Sequence, residues 1–281
     1  MSPLFVFQLR RVARNRQFLF FTVLLPALFT VFFTRVFAGT PGGVSPEQAA
    51  ATMVSMMAYG AIGAALGATI RLSSDRASGW LRQLRVTPVP QTSVVVVDVA
   101  VGMLLTLPPL VVVALTGRFV NGVQLAPGDW AALIGVLWLG SAVFVALGLL
   151  LGWALEEKAA GGAIGIVGTV LAALGGLWVP VELFPSGLRA VAHGLPSYWY
   201  AETGRAAAAG ELPPGLAVAA LAGFAAVFAG LAVLVARRRP LTAVAGWWSY
   251  GRAPWTPALA GTASAGRCPG CCSSSSRSPT W

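Results

Sequence analysis

Two adjacent carboxylates, Glu156 and Glu157, one histidine, His193, and three cysteines, Cys268, Cys271 and Cys272, are the residues of this 281-residue chain whose types invite chemistry. Neighbours on a helix diverge by about 100°, so Glu156 and Glu157 do not converge on one proton as an acid/base pair and read as a solvated pair at a membrane edge. His193 has no metal-ligand pattern around it and reads as interfacial. Cys268-Pro-Gly-Cys271 has redox-motif spacing, yet no strand–helix unit surrounds it. Phosphate chemistry is excluded as well: there is no G-x-x-x-x-G-K-[ST] run, and Lys158, the one lysine, follows "WALEE", so the chain cannot cradle or hydrolyse ATP by itself. No metal, cofactor or catalytic residue is assigned. A multi-span membrane-embedded enzyme, one rival reading, would need catalytic residues clustered at one membrane face, and the sequence offers none.

The surroundings of these residues decide the class. The chain is 57% hydrophobic and 10% charged, with a mean hydropathy of +0.76, against about 25% charge in an ordinary globular protein. Six apolar windows of the length a helix needs to cross a bilayer run over about 18–38, 49–70, 93–117, 130–154, 160–180 and 215–236. They are long and rich in Ala, Leu and Gly rather than ten-residue alternations, which favours helices over a barrel. The expected fold is an all-α integral membrane bundle of six transmembrane helices. The first window exceeds a secretory h-region and lacks a small-residue cleavage site, so it reads as a retained span.

Charge sets the expected orientation. Fifteen of the 19 Lys and Arg fall in the amino-terminal segment, in the loop over 71–92, at Lys158 and in the tail, whereas Arg118, Arg189 and Arg205 are the cations of the opposite loops. Basic loops stay in the cytoplasm, so both termini are expected there, and the net charge of +10 reports topology rather than nucleic-acid binding. Two ionisable residues fall within the windows, Asp98 near the cytoplasmic edge of span three and Arg35 near the outer end of span one. Both are shallow, which weakens the alternative of an ion-coupled secondary transporter, whose coupling groups gather at the midplane.

Two amphipathic stretches stand outside the spans. In "SPLFVFQLRRVARNRQF", Phe5, Val6, Leu9, Val12 and Ala13 share one helical side and Arg10, Arg11 and Arg14 the other, the pattern of an interfacial helix in contact with membrane lipid. In "DRASGWLRQLRVTPVP", Ala77, Trp80, Leu81 and Leu84 recur at i, i+3, i+4 and i+7 and Thr87-Pro88 ends the run, giving a short helix with an apolar face suited to a groove on a partner protein.

That second stretch, with Asp75, Arg76, Gly79, Trp80, Leu81, Leu84, Arg85 and Pro88, resembles the cytoplasmic loop of ABC-2 type permeases, the membrane subunits of ABC exporters related to daunorubicin-resistance transporters. A second segment, "GGLWVPVELFPSGLRAVAHGLPSYWYAETGR", is similar to the family's pattern at Phe184-Pro185, Leu188, Pro196 and Arg205, and the resemblance extends over about residues 5–240. It implies a permease that exports an amphipathic drug-like, lipid or glycan substrate across a bacterial cell membrane, works as a homodimer, and couples through residues 75–88 to a separate ATP-binding subunit that carries ATP and Mg.

The segment between spans five and six is too long for a turn and too apolar for a solvated loop. Pro185 can open a short helix, Pro196 interrupts the chain beyond it, and Trp178, Tyr198, Trp199 and Tyr200 are the aromatics expected at headgroup depth, so a re-entrant helix pair in the outer leaflet is expected there. Gly60, Gly63 and Gly67 in span two allow close helix approach or border a substrate path with span five, and Pro26 and Pro108-Pro109 are expected to kink spans one and three. Residues 1–240 are expected to form the transmembrane domain, and 241–281, rich in Gly, Pro, Ser and Ala, a disordered cytoplasmic tail.

Overall fold

Pro26 shapes the entry into the first helix. It has no N–H to return to the Thr22 carbonyl, and the ladder ahead of it widens by one residue: Phe20–Leu24 is a π-turn in which the N–H of Leu25 bonds to the Phe20 carbonyl. The computed structural model describes residues 19–38, 45–77, 91–155 and 157–238. After the π-turn come α1 (Leu25–Ala38), α2 (Pro46–Ala77), α3 (Gln91–Phe119), α4 (Pro127–Gly140), α5 (Ala142–Ala154), α6 (Glu157–Leu174), a 3-10 turn (Val181–Leu183), α7 (Ser186–His193), α8 (Pro196–Ala208) and α9 (Gly215–Arg238). There is no strand among the described residues.

Four stretches are long and apolar enough to cross a membrane: Pro46–Ala68, Val95–Phe119, Pro127–Ala154 and Gly215–Ala236. Phe20–Val36 and Ala159–Leu174 are apolar but shorter. The fifth apolar window extends to residue 180, yet α6 stops at Leu174 and the chain turns at Gly175-Gly176. Gly176 has φ +76° and the Val181 side chain fills the place its Cβ would take, so the turn is specified by sterics that an apolarity window does not register.

The second helix is longer than its apolar window, while its membrane-crossing stretch, Pro46–Ala68, stays close to it. Ser45 accepts a hydrogen bond from the Gln48 N–H at 3.1 Å while the Gln48 side chain accepts from the Ser45 N–H at 3.2 Å, a capping box with Pro46 at the first helical position. From that start α2 runs 32 residues to Ala77, so Asp75 and Arg76 sit on its final turn rather than opening a separate helix. Gly79, Trp80, Leu81, Leu84, Arg85 and Pro88 lie outside the described residues, as do Phe5, Leu9, Arg10, Arg11 and Arg14 and the tail over 241–281.

α2 is the central post, packing against α1, α3, α5, α6 and α8. Of its span 72% is buried, against 11% for α9 at the periphery. Met53, Val54, Met57, Ile62 and Leu66 from α2 meet Leu110, Leu133, Leu137, Phe144 and Tyr200 in one core. Between helices in lipid the gain comes from close packing and interhelical hydrogen bonds rather than from expelling water, and glycines supply the approach: Gly117 receives the Met53 side chain, and a Cβ at Gly204 would stand 2.7 Å from Val54 and 2.9 Å from Leu137.

α3 continues through Pro108-Pro109 as one helix. Just before the prolines, the Met103 carbonyl accepts from the Thr106 hydroxyl at 2.7 Å and from the Trp138 indole at 3.0 Å. Ser141, the one residue between α4 and α5, donates to the Trp138 carbonyl at 2.6 Å and lies 3.2 Å from the Thr106 hydroxyl. This polar knot ties α3 to the α4/α5 junction inside the apolar layer.

Candidate functional site

A cavity of about 530 Å³ opens between the π-turn, α2 and α6. The π-turn contributes Phe21 and Thr22, α2 contributes Tyr59, Gly60, Ile62, Gly63, Leu66 and Gly67, and α6 contributes Gly161, Ile164, Gly165, Gly168 and Thr169. Gly60, Gly63 and Gly67 share one face of α2 because their spacing is three and four residues. They are not equivalent. A Cβ at Gly60 would stand 2.9 Å from Pro109 Cβ, 3.1 Å from the Thr22 carbonyl and 3.2 Å from Pro26 Cγ, so this glycine lets α3 and the start of α1 close on α2. Among the described residues, the nearest contact at Gly63 would be an ordinary 3.7 Å to Thr22, and at Gly161 and Gly165 a Cβ would meet nothing within 4 Å.

The described lining carries no charged side chain, and its side-chain polar groups are the hydroxyls of Thr22, Tyr59 and Thr169. Tyr59 also stacks edge-on against Trp178, ring centres 5.6 Å apart, which links α2 to the turn beyond α6. The small residues of spans two and five are legible in the sequence. Thr22 and Tyr59 are additions from the structure; the signal available for Tyr59 is a hydroxyl-bearing residue immediately before the first glycine of the α2 stripe.

The outer segment is a helix–break–helix. The Arg189 guanidinium donates to the Glu182 carbonyl at 2.8 Å and to the Phe184 carbonyl at 3.4 Å, folding the 3-10 turn back on α7. Pro185 caps α7 and Leu188 is exposed on it. Leu195 is extended, as a residue before proline prefers, and Pro196 opens α8 as its first residue. Arg205 pairs with Glu202 at 2.9 Å. Phe184, Pro185 and Leu188 are thus gathered at the α7 end, while Pro196 and Arg205 belong to α8.

α8 corrects one expectation. Tyr200 is not a headgroup aromatic: it is fully buried, its hydroxyl donates to the Leu137 carbonyl at 2.6 Å, and its ring packs edge-on to Phe144 at 5.1 Å. Successive helical residues diverge, so Tyr198 and Trp199 face away from Tyr200. The Trp199 indole donates to the His193 carbonyl at 2.8 Å, and Tyr198 stacks on His193 at 4.6 Å. Burial pushes the Tyr198 phenol above its ordinary range, helped by the Glu202 carboxylate and opposed by Arg205.

Asp98 is half-buried on α3, and Arg35 is exposed on the last turn of α1. The structure brings neither to the cavity lining. Among the described residues, no three of His, Cys, Asp and Glu gather as a metal site would require.

Several long apolar helices around a central glycine-bearing post define a multi-pass helical membrane protein. The family model of the ABC-2 type transporter matches residues 4–209, and the chain belongs to that family. Among its relatives is a protein of Bacillus subtilis (strain 168) named "Putative transport permease YvfS", 28% identical over 198 residues that cover 69% of this chain and 79% of the relative.

Proposed function

We propose that this chain is the membrane-spanning subunit of an ATP-driven exporter, in which two copies with six spans each sit in a bacterial cell membrane with both termini in the cytoplasm. Hydrolysis takes place on separate ATP-binding subunits, which carry the ATP and Mg. The observation that carries the reading is the cavity between the π-turn, α2 and α6: a transport path needs space inside the apolar layer, and this space lies beside the central helix of a chain that belongs to a transporter family. The 281 residues hold no P-loop, which supports placing hydrolysis on a partner subunit. Phe184, Pro185 and Leu188 at the outer end form the movable part of a lid, with Pro196 and Arg205 on the α8 base that holds it, and the pair of copies encloses the path that Gly60, Gly63 and Gly67 border.

Coupling falls to residues 75–88. The apolar stripe of Trp80, Leu81 and Leu84 docks in a groove of the ATP-binding subunit, while Arg76, Arg82 and Arg85 keep the loop in the cytoplasm. Large apolar anchors in such a groove are each worth about 1–3 kcal/mol. Trp80→Ala with Leu84→Ala is therefore expected to strip the ATP-binding subunit from the purified permease and to abolish substrate-stimulated hydrolysis in liposomes, with membrane insertion unchanged. Full retention of the subunit and full stimulation in the double variant would refute the coupling assignment.

A further inference from the structure

We infer that α3 is jointed at Pro108-Pro109: its first half, residues 91–107, is locked to α5 and swings with it, while its second half, residues 109–119, is locked to α2 and stays. The inference rests on the exporter reading above only for what drives the swing, because the first half of α3 begins just beyond residues 75–88.

The locks on the two sides of the prolines hold different partners. In the second half, the Met53 side chain of α2 fills the place a Cβ at Gly117 would take, and Pro109 Cβ lies 2.9 Å from where a Cβ on Gly60 of α2 would stand. Leu110, Val113 and Ala114 join the same core as Met53, Val54 and Met57. In the first half, a Cβ at Gly102 would stand 3.1 Å and 3.3 Å from the two methyl groups of Val145 on α5, so these two helices interlock there. The backbone between the locks is weakened. The ring nitrogens of Pro108 and Pro109 carry no hydrogen for the carbonyls of Leu104 and Leu105, four residues back. α3 keeps its helical path through the prolines, and what it loses there is resistance to bending.

The neighbouring span supplies a second, independent observation. Pro127–Ala154 is also interrupted, at Ser141 between α4 and α5. The two interruptions lie at one level, because the Ser141 hydroxyl stands 3.2 Å from that of Thr106, two residues before Pro108. The helices on either side of this level are again held by different partners. α4 is keyed to α8 by the hydrogen bond from Tyr200 to the Leu137 carbonyl and by the Tyr200 ring against Gly140, and α8 is keyed to α2 at Gly204, where a Cβ would stand 2.7 Å from Val54. α5 is keyed to the first half of α3. One unit therefore comprises α2, α4, α8 and the second half of α3, the other comprises α5 and the first half of α3, and Thr106, Trp138 and Ser141 tie them where they meet. α5 also packs on α2, and small sliding of packed helices is the movement such a face permits.

Val96 is exposed and stands twelve residues before Pro108. That is about 18 Å along a helix, so a bend of about 20° at the prolines carries Val96 about 6 Å. The test uses the full chain in lipid nanodiscs, with Cys268, Cys271 and Cys272 replaced by serine, and reads distance distributions between pairs of spin-labelled cysteines by double electron–electron resonance. The pair at Ser74 and Val96 compares α2 with the first half of α3, the pair at Glu47 and Phe119 compares α2 with the second half, and the pair at Val96 and Ala154 compares the first half with α5. The Ser74 and Val96 distribution is expected to be wider than the other two by about 6 Å. Pro108→Ala with Pro109→Ala returns both N–H groups and keeps a Cβ against Gly60, and is expected to narrow that distribution to the width of the others with thermal stability unchanged or higher. Equal widths in the chain with both prolines would overturn the inference whatever the variant does, as would a wide distribution that survives in the folded double variant. A Val96 and Ala154 distribution as wide as that of Ser74 and Val96 would overturn the grouping with α5. A proline-dependent swing in a chain that no ATP-binding subunit ever joins would uphold the joint and end the exporter reading; ATP-driven export with equal widths would do the reverse.

Discussion

Gly140 and Tyr200 provide a quantitative test of whether α8 is keyed into the bundle. Tyr200 has no exposed surface, and a Cβ on Gly140 would stand 2.8 Å and 2.9 Å from two of its ring carbons. Forcing a methyl group into a packed contact of this kind costs about 1–3 kcal/mol, while exchanging glycine for alanine inside a helix returns up to about 1 kcal/mol. Gly140→Ala alone should therefore destabilise by about 0–3 kcal/mol. In a Tyr200→Leu background the methyl group finds the room the ring vacated, and the same substitution should become neutral or stabilising by up to about 1 kcal/mol. The coupling energy of the cycle is then about 1–3 kcal/mol, or about five- to 150-fold in an unfolding equilibrium. Tyr200→Phe serves as the control: it removes one hydrogen bond, but the Leu137 carbonyl still accepts from the Ser141 N–H at 3.0 Å, so the loss should stay near about 0.6–1 kcal/mol. Unfolding titrations with dodecyl sulfate in mixed micelles, followed by tryptophan fluorescence, give the four free energies. Additivity of Gly140→Ala and Tyr200→Leu to within about 0.5 kcal/mol would refute the contact and with it the idea that α8 is a fixed base on which only the α7 end can move.

Two further outcomes are expected. Single cysteines at Leu212, which is 92% exposed, and at Ser74 should split by side, the first labelled by an impermeant maleimide on intact cells and the second only after lysis; external labelling at residue 74 would invert the orientation. Truncation after Thr242 should leave insertion and ATP-subunit retention unchanged, because the composition of the removed residues cannot build a core; loss of retention with normal insertion would give the tail a docking role.

The sequence by itself determined the class of protein and much of the layout. Apolar runs and sparse charge fix where helices must form, since an unpaired backbone cannot remain in lipid, and both termini of α9 lie within two residues of its window. Local rules reach further than apolarity alone: the Ser45–Gln48 capping box and the extended residue before Pro196 are both written in short motifs. Contact identity is different. The residues of "YWY" are alike in sequence, and only packing decides that Tyr200 turns inward to the Leu137 carbonyl while Trp199 reaches the His193 carbonyl. The glycines of α2 and α6 are equally alike. Tertiary structure separates Gly60, which three elements close upon, from Gly161 and Gly165, where an added Cβ has no described atom within 4 Å. The physical reason is that apolarity is a property of one residue in one solvent, whereas a clash or a cavity is a property of the distance between helices far apart in the chain, and such distances exist only after those helices have packed.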